Sequence, residues 1–109
     1  MPNAHMTWEE KFEAINALGE AVLKMRAPGD WHVYQPGVDI SNRVVIGSRY
    51  GSGRTPEAAV QEHWTGLTEL RATEVIVINA FRDNRRHLRW NGYRWVDLPV
   101  EHHAEAEHA

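Results

Sequence analysis

Hydrophobic positions along the chain change period several times, and each change predicts an element. From Thr7 the spacing is helical, because Phe12, Ile15, Leu18, Val22 and Met25 recur three or four residues apart and share one helix face. Thr7 supplies an N-cap, Glu10 three residues later completes a capping box, and Glu9 places a favourable charge in the first turn. The stripe predicts a helix that runs to Arg26 and stops before Ala27-Pro28-Gly29. Such a stripe faces its own core or, alternatively, fills a partner's groove.

Trp31 and Val33 then alternate with His32 and Tyr34 as a short strand, closed by the turn signal Gln35-Pro36-Gly37. Residues 38–50 read as further strand: Val38, Ile40 and the run Val44-Val45-Ile46 flank Ser41-Asn42-Arg43, which is either a bulge or a hairpin turn. Gly51-Ser52-Gly53-Arg54 is read as a loop. Thr55-Pro56-Glu57 opens a second helix as N-cap, first-turn proline and dipole-favourable acid. Ala59, Val60, His63, Trp64, Leu67 and Leu70 carry its buried stripe, with Gly66 an interior weakness. The continuous run Val75-Ile76-Val77-Ile78 fits a central strand. Leu88 to Trp90 and Tyr93 to Val96 flank Asn91-Gly92, which predicts a tight type I′ hairpin.

The resulting order is helix, two or three strands, helix, strand, hairpin. It predicts an α+β fold, an antiparallel sheet of about five strands with two helices, order α-β-β-α-β-β-β. Length agrees, since 109 residues support one domain and one core. Residues 7–98 form that domain. Residues 1–6 lie outside it as a disordered or tag-derived segment or an upstream start, and 99–109 form a flexible His/Glu/Ala tail.

Composition narrows the function classes. A chain 42% hydrophobic with five tryptophans is not globally disordered. The absence of cysteine removes disulfides, thiol nucleophiles and thiolate metal sites together, and suits a reducing cytoplasm. No apolar run approaches the roughly 20 residues that span a bilayer, so no membrane partner is expected. A net charge of -3 argues against a uniformly basic nucleic-acid binder.

Two constellations carry candidate chemistry. The first is the segment from Ser48 to Thr55. A phosphate-binding loop of the Walker type needs glycine where Ser48 stands and lysine where Arg54 stands, and a dinucleotide fingerprint needs glycine where Pro56 stands. What remains is a pair of glycines, Gly51 and Gly53, beside Arg54 at a helix start. Free amides there would hold one phosphate or carboxylate, or the glycines simply relieve a strand-to-helix turn. Over residues 7–70 the order helix, strands, Gly-x-Gly, helix resembles the double-stranded RNA-binding domain, whose second helix grips phosphates. That family's lysines after the loop are replaced here by Pro56, Glu57, Ala58 and Ala59, so the resemblance implies topology without the phosphate grip.

The second constellation is Arg82, Arg85, Arg86, Arg89 and Arg94, interleaved with Phe81, Trp90, Tyr93 and Trp95. Arginines beside aromatic rings stack on bases, clamp phosphates or anchor a protein interface, and they also line the outer face of a Trp-filled core. No catalytic centre follows. Histidines show no metal-binding spacing, His102, His103 and His108 lie in the tail, and Ser52 in Tyr50-Gly51-Ser52-Gly53 is not the nucleophile elbow. Neither an enzyme nor a cofactor is expected.

The segment from Arg85 to Asp97, with Asp30-Trp31-His32-Val33 and the stretch from Tyr50 to Glu57, resembles small uncharacterised phage and prophage proteins over most of residues 7–98. No activity attaches to that group. The resemblance implies a phage context, in which small accessory proteins act stoichiometrically on a host factor, counter-defence inhibitors of the anti-CRISPR type being one class. The expectation is therefore a non-catalytic inhibitor or modulator of a host protein. The alternative is a binder of nucleic acid or a small phosphorylated ligand that uses the arginine hairpin with Gly51, Gly53 and Arg54. An unpaired sheet edge would also permit a homodimer.

Overall fold

The structure is a computed structural model and describes residues 6–100. It places α1 (Trp8–Leu18), β1 (Val22–Ala27), β2 (Asp30–Ser41), β3 (Ile46–Gly53), α2 (Pro56–Thr68), β4 (Val75–Ile78), β5 (Arg86–Trp90) and β6 (Trp95–Leu98) in one α+β unit. The expected class and order hold, two helices and an antiparallel sheet, and β1 adds one strand between the helices, making three there and six in the sheet. The expected ends of the chain lie mostly outside the described residues, but Met6, expected to lie outside the domain, packs against the core.

The N-terminal capping box forms as its residues dictate, with Glu10 N donating to Thr7 Oγ1 and Thr7 N donating to Glu10 Oε1. The helix is shorter than its stripe suggested. It ends at Leu18 because Gly19 adopts an extended conformation, and Asn16 Oδ1 then captures the amide of Ala21 at 2.9 Å and turns the chain. Val22 and Met25 therefore sit on β1, paired with Tyr34 and Trp31 of β2. Helical spacing and strand membership coincide there, and glycine decides between them.

The second correction concerns Gln35-Pro36-Gly37. These residues lie inside β2, where the register against β3 jumps from the Tyr34–Tyr50 pair to the Asp39–Ser48 pair. The strand also exchanges neighbours at this point, β1 lying along its first half and β4 along its second. Pro36 has no amide to leave unpaired at the exchange, and Gly37 takes φ +84°, which a side chain disfavours. The turn signal thus marks a bulge in a long strand. The hairpin turn falls instead at residues 42–45, where Asn42 Oδ1 accepts from the amides of Val44 and Val45.

Both helices cover one face of the sheet. Ile15 and Leu18 of α1 and Val60, Trp64 and Leu67 of α2 meet Val33, Val38, Ile40, Ile76, Ile78 and Leu88. The final hairpin is fastened to this core by three tryptophans. Trp64, Trp90 and Trp95 make pairwise edge-to-face contacts with centroids 4.8–5.8 Å apart, and Trp95 Nε1 donates to the Ala14 carbonyl at 2.8 Å. Its connection is not the expected two-residue type I′ turn. Four residues separate the strands, positive φ is confined to Gly92 among them, and Asn91 Oδ1 accepts from the amides of Tyr93 and Arg94. Among the described residues, no helix is long and apolar enough to cross a membrane.

Candidate binding surface

The glycines before α2 have a packing role. Gly51 and Gly53 belong to β3, paired with Val33 and Trp31, and are not a loop. A Cβ on Gly51 would lie 2.1 Å from the Ala59 carbonyl oxygen and 2.6 Å from His63 N; on Gly53 it would lie 2.6 Å from Ala58 Cβ. Glycine is present because the backbone of α2 rests directly on the strand. The amides nearest the helix start are partly used as well: Ala58 N donates to Thr55 Oγ1 and Ala59 N to the Thr55 carbonyl. Arg54 is exposed beside this start.

The arginines of the C-terminal segment are divided among several tasks. Arg86 grips Asp97 through two parallel bonds, Nε to Oδ1 at 2.8 Å and Nη2 to Oδ2 at 2.9 Å, which holds the Asp97 carboxyl below the usual carboxylate range. Arg89 closes the connection after α2 by donating to the carbonyls of Leu70, Arg71 and Glu74. Arg85 donates through Nε to His87 Nε2 at 2.9 Å and through Nη1 to the Ala80 carbonyl. Trp90 sits in the tryptophan cluster. Arg82, Tyr93 and Arg94 reach solvent, Tyr93 at 77% exposure. The ten residues expected to bind are therefore not brought together: Gly51, Gly53 and Arg54 lie on β3 and the α2 start, and the hairpin set is split between structural bonds and an exposed tip.

Two features escaped the sequence reading. The first is a buried polar knot. Gln35, 5% exposed, donates from Nε2 to the carbonyls of Ile15 and Gly19 at 2.8 and 2.7 Å, satisfying the end of α1. Its Oε1 must then accept, so His63 carries its proton on Nε2, 2.8 Å away, and His63 Nδ1 makes no hydrogen bond among the described residues. Burial pushes the His63 pKa down to about 4. The equivalent restraint on the other flank is Arg49, which donates to the Gly66 carbonyl at 2.9 Å and to Glu74 Oε2 at 2.8 Å.

The second is the sheet face that the helices leave bare. Strand alternation sends Lys24 of β1, His32 and Tyr34 of β2 and Tyr50 of β3 to the side opposite α2, and Arg26, at the β1 register shift, lines a cavity with His32, Tyr34 and Tyr50. Tyr34 and Tyr50 are 42% and 62% exposed, and the rings of His32 and Tyr50 are parallel to within 2° with centroids 6.1 Å apart. A cavity of about 410 Å³ opens among Arg26, His32, Tyr34, Pro36, Ser48 and Tyr50. The period-two alternation of His32 and Tyr34 against Trp31 and Val33 was the signal for this face. Among the described residues no group of acids and histidines is placed to hold a metal ion. No protein-family model, no curated protein and no solved structure matches this chain.

Proposed function

We propose that the chain is a non-catalytic binding protein, of the kind small phage accessory proteins provide, that inhibits or modulates a host factor by occupying its surface. The observation that carries this reading is the tip of the β5–β6 hairpin. Trp90 and Trp95 anchor it to the core, Asn91 closes its turn, and Tyr93 and Arg94 project from it with their side chains engaged by nothing among the described residues. An aromatic and an arginine on a rigid support are the residue types that dominate protein interfaces, and a preformed tip loses little entropy on binding.

Affinity capture from host cytoplasm, comparing the wild-type chain with Tyr93→Ala plus Arg94→Ala, tests it. The reading expects a stoichiometric host protein, retained at high salt, that the double variant fails to hold. Recovery of chaperones alone, or equal recovery by both chains, overturns it. A second reading, a binder of nucleic acid or of a phosphorylated ligand, draws its support from the bare sheet face and not from the glycine segment.

A further inference from the structure

We infer that the bare face of β1–β3 binds single-stranded nucleic acid, with a base stacked against Tyr50 and His32 and adjacent phosphates held by Arg26 and Lys24. This goes beyond the hairpin-tip reading and uses none of its residues. Strand pairing sets the layout. Lys24 lies opposite His32, and Tyr34 opposite Tyr50, so cations run along β1 while rings run along β2 and β3. A strand lying across the face would meet charge on one side and π-surface on the other, the combination that single-strand binders use.

Two exposed cations border the ring face. Neither Lys24 nor Arg26 has an acidic partner or a side-chain hydrogen bond among the described residues, so both charges are available. Among the described residues, Asp30 and Asp39 also lie on this face: Asp30 contacts His32 Nε2 at 3.1 Å, and Asp39, beyond the β2 bulge, accepts from Ser48 Oγ at 3.1 Å. The cavity of about 410 Å³ beside the parallel rings falls within the range of small-ligand sites and has room for one nucleotide unit. A duplex hides its base faces from such a platform and leaves only two cations to bind its backbone. An acidic protein surface would satisfy the cations and leave the parallel ring pair without a matching plane.

Fluorescence anisotropy with a labelled single strand of about 12 nucleotides tests the inference, with a duplex and a mononucleotide as competitors. Two phosphate contacts predict a log–log salt slope of about −1.4, or about sevenfold weaker binding on going from about 50 to 200 mM salt. Tyr50→Ala is expected to weaken binding about tenfold or more and Tyr50→Phe to preserve it, since the ring supplies the stack. Arg26→Ala should reduce the slope by about 0.7. These positions are exposed or partly exposed, and a thermal melt of each variant confirms the fold. No binding, equal competition by the duplex or the mononucleotide, or Tyr50→Ala within about twofold of wild type overturns the inference. Tyr93→Ala plus Arg94→Ala should bind the strand as wild type does, so failure here and failure of the host-protein reading are separate results.

Discussion

Replacing Gly51 with alanine adds one methyl group at a place with no room for it. The new Cβ would stand 2.1 Å from the Ala59 carbonyl oxygen, 2.6 Å from His63 N and 2.9 Å from His63 Cβ. Two of these neighbours are backbone atoms of α2, which cannot rotate away. Ordinary contact begins near 3.4 Å, so the helix must retreat by about 1.3 Å and take Val60, Trp64 and Leu67 with it. Overpacking a core typically costs about 1–3 kcal/mol, and a displaced helix that also loosens the Gln35–His63 bond belongs at or above the top of that range. A domain of this size has about 5–15 kcal/mol in total, so the loss is large. Gly47 lies on the same strand with nothing within 4 Å of a Cβ, and Gly47→Ala is the control, expected to be neutral or to gain a few tenths of a kcal/mol. Urea unfolding followed by tryptophan fluorescence reads both. If Gly51→Ala unfolds within about 0.5 kcal/mol of wild type, the packing account of the glycines fails and the ligand-loop reading returns.

Burial of neutral His63 makes stability depend on pH. The unfolded chain takes up a proton below the ordinary value of 6.5 and the folded chain only near 4, so stability is complete above 6.5 and falls as pH drops toward 4, by at most about 3 kcal/mol. Urea melts at pH 7 and pH 4.5 should differ by most of that amount in wild type and by much less in His63→Gln; equal melts in wild type contradict the assignment. The carboxylate of Glu74, held low first by the Arg71 amide, loses its contribution at still lower pH. Gln35→Leu strands the Ile15 and Gly19 carbonyls and the His63 Nε2–H together, and should cost on the order of 3 kcal/mol in the same assay. Trp95→Phe removes the donor to the Ala14 carbonyl and should cost about 1 kcal/mol while near-ultraviolet circular dichroism reports a changed tryptophan cluster. Asp97→Asn, on an exposed pair, should leave the urea midpoint essentially unmoved.

Local chemistry was legible wherever a residue type has one structural use. Thr7 with Glu10, Thr55 before Pro56, the run from Val75 to Ile78 and the two strands beside Asn91-Gly92 all specify their elements within a few residues. Legibility failed where one pattern serves two outcomes. Val22 and Met25 continue a helical stripe and also fit a strand, and the decision lies with Gly19 and with the Gln35 side chain that holds the end of α1 from another strand. Pro36-Gly37 suits a turn or a bulge, and only the exchange of β1 for β4 beside β2 selects the bulge. The glycines of β3 suited either an anion-holding loop or a relieved strand-to-helix turn, because the sequence does not reveal the approach of α2. The arginines were legible as a cluster in sequence, but their separation into Asp97 and carbonyl ligands on one side and a projecting tip on the other depends on tertiary partners.

In the function proposed, the chain acts by forming a complex and not by transforming what it binds. Isothermal titration of the host protein recovered by capture addresses this directly. The account predicts saturable binding at a fixed stoichiometry, recovery of the partner chemically unchanged after dissociation, and loss of the heat signal with Tyr93→Ala plus Arg94→Ala. A partner released in altered form at substoichiometric amounts of the chain, or undiminished binding by the double variant, would contradict it.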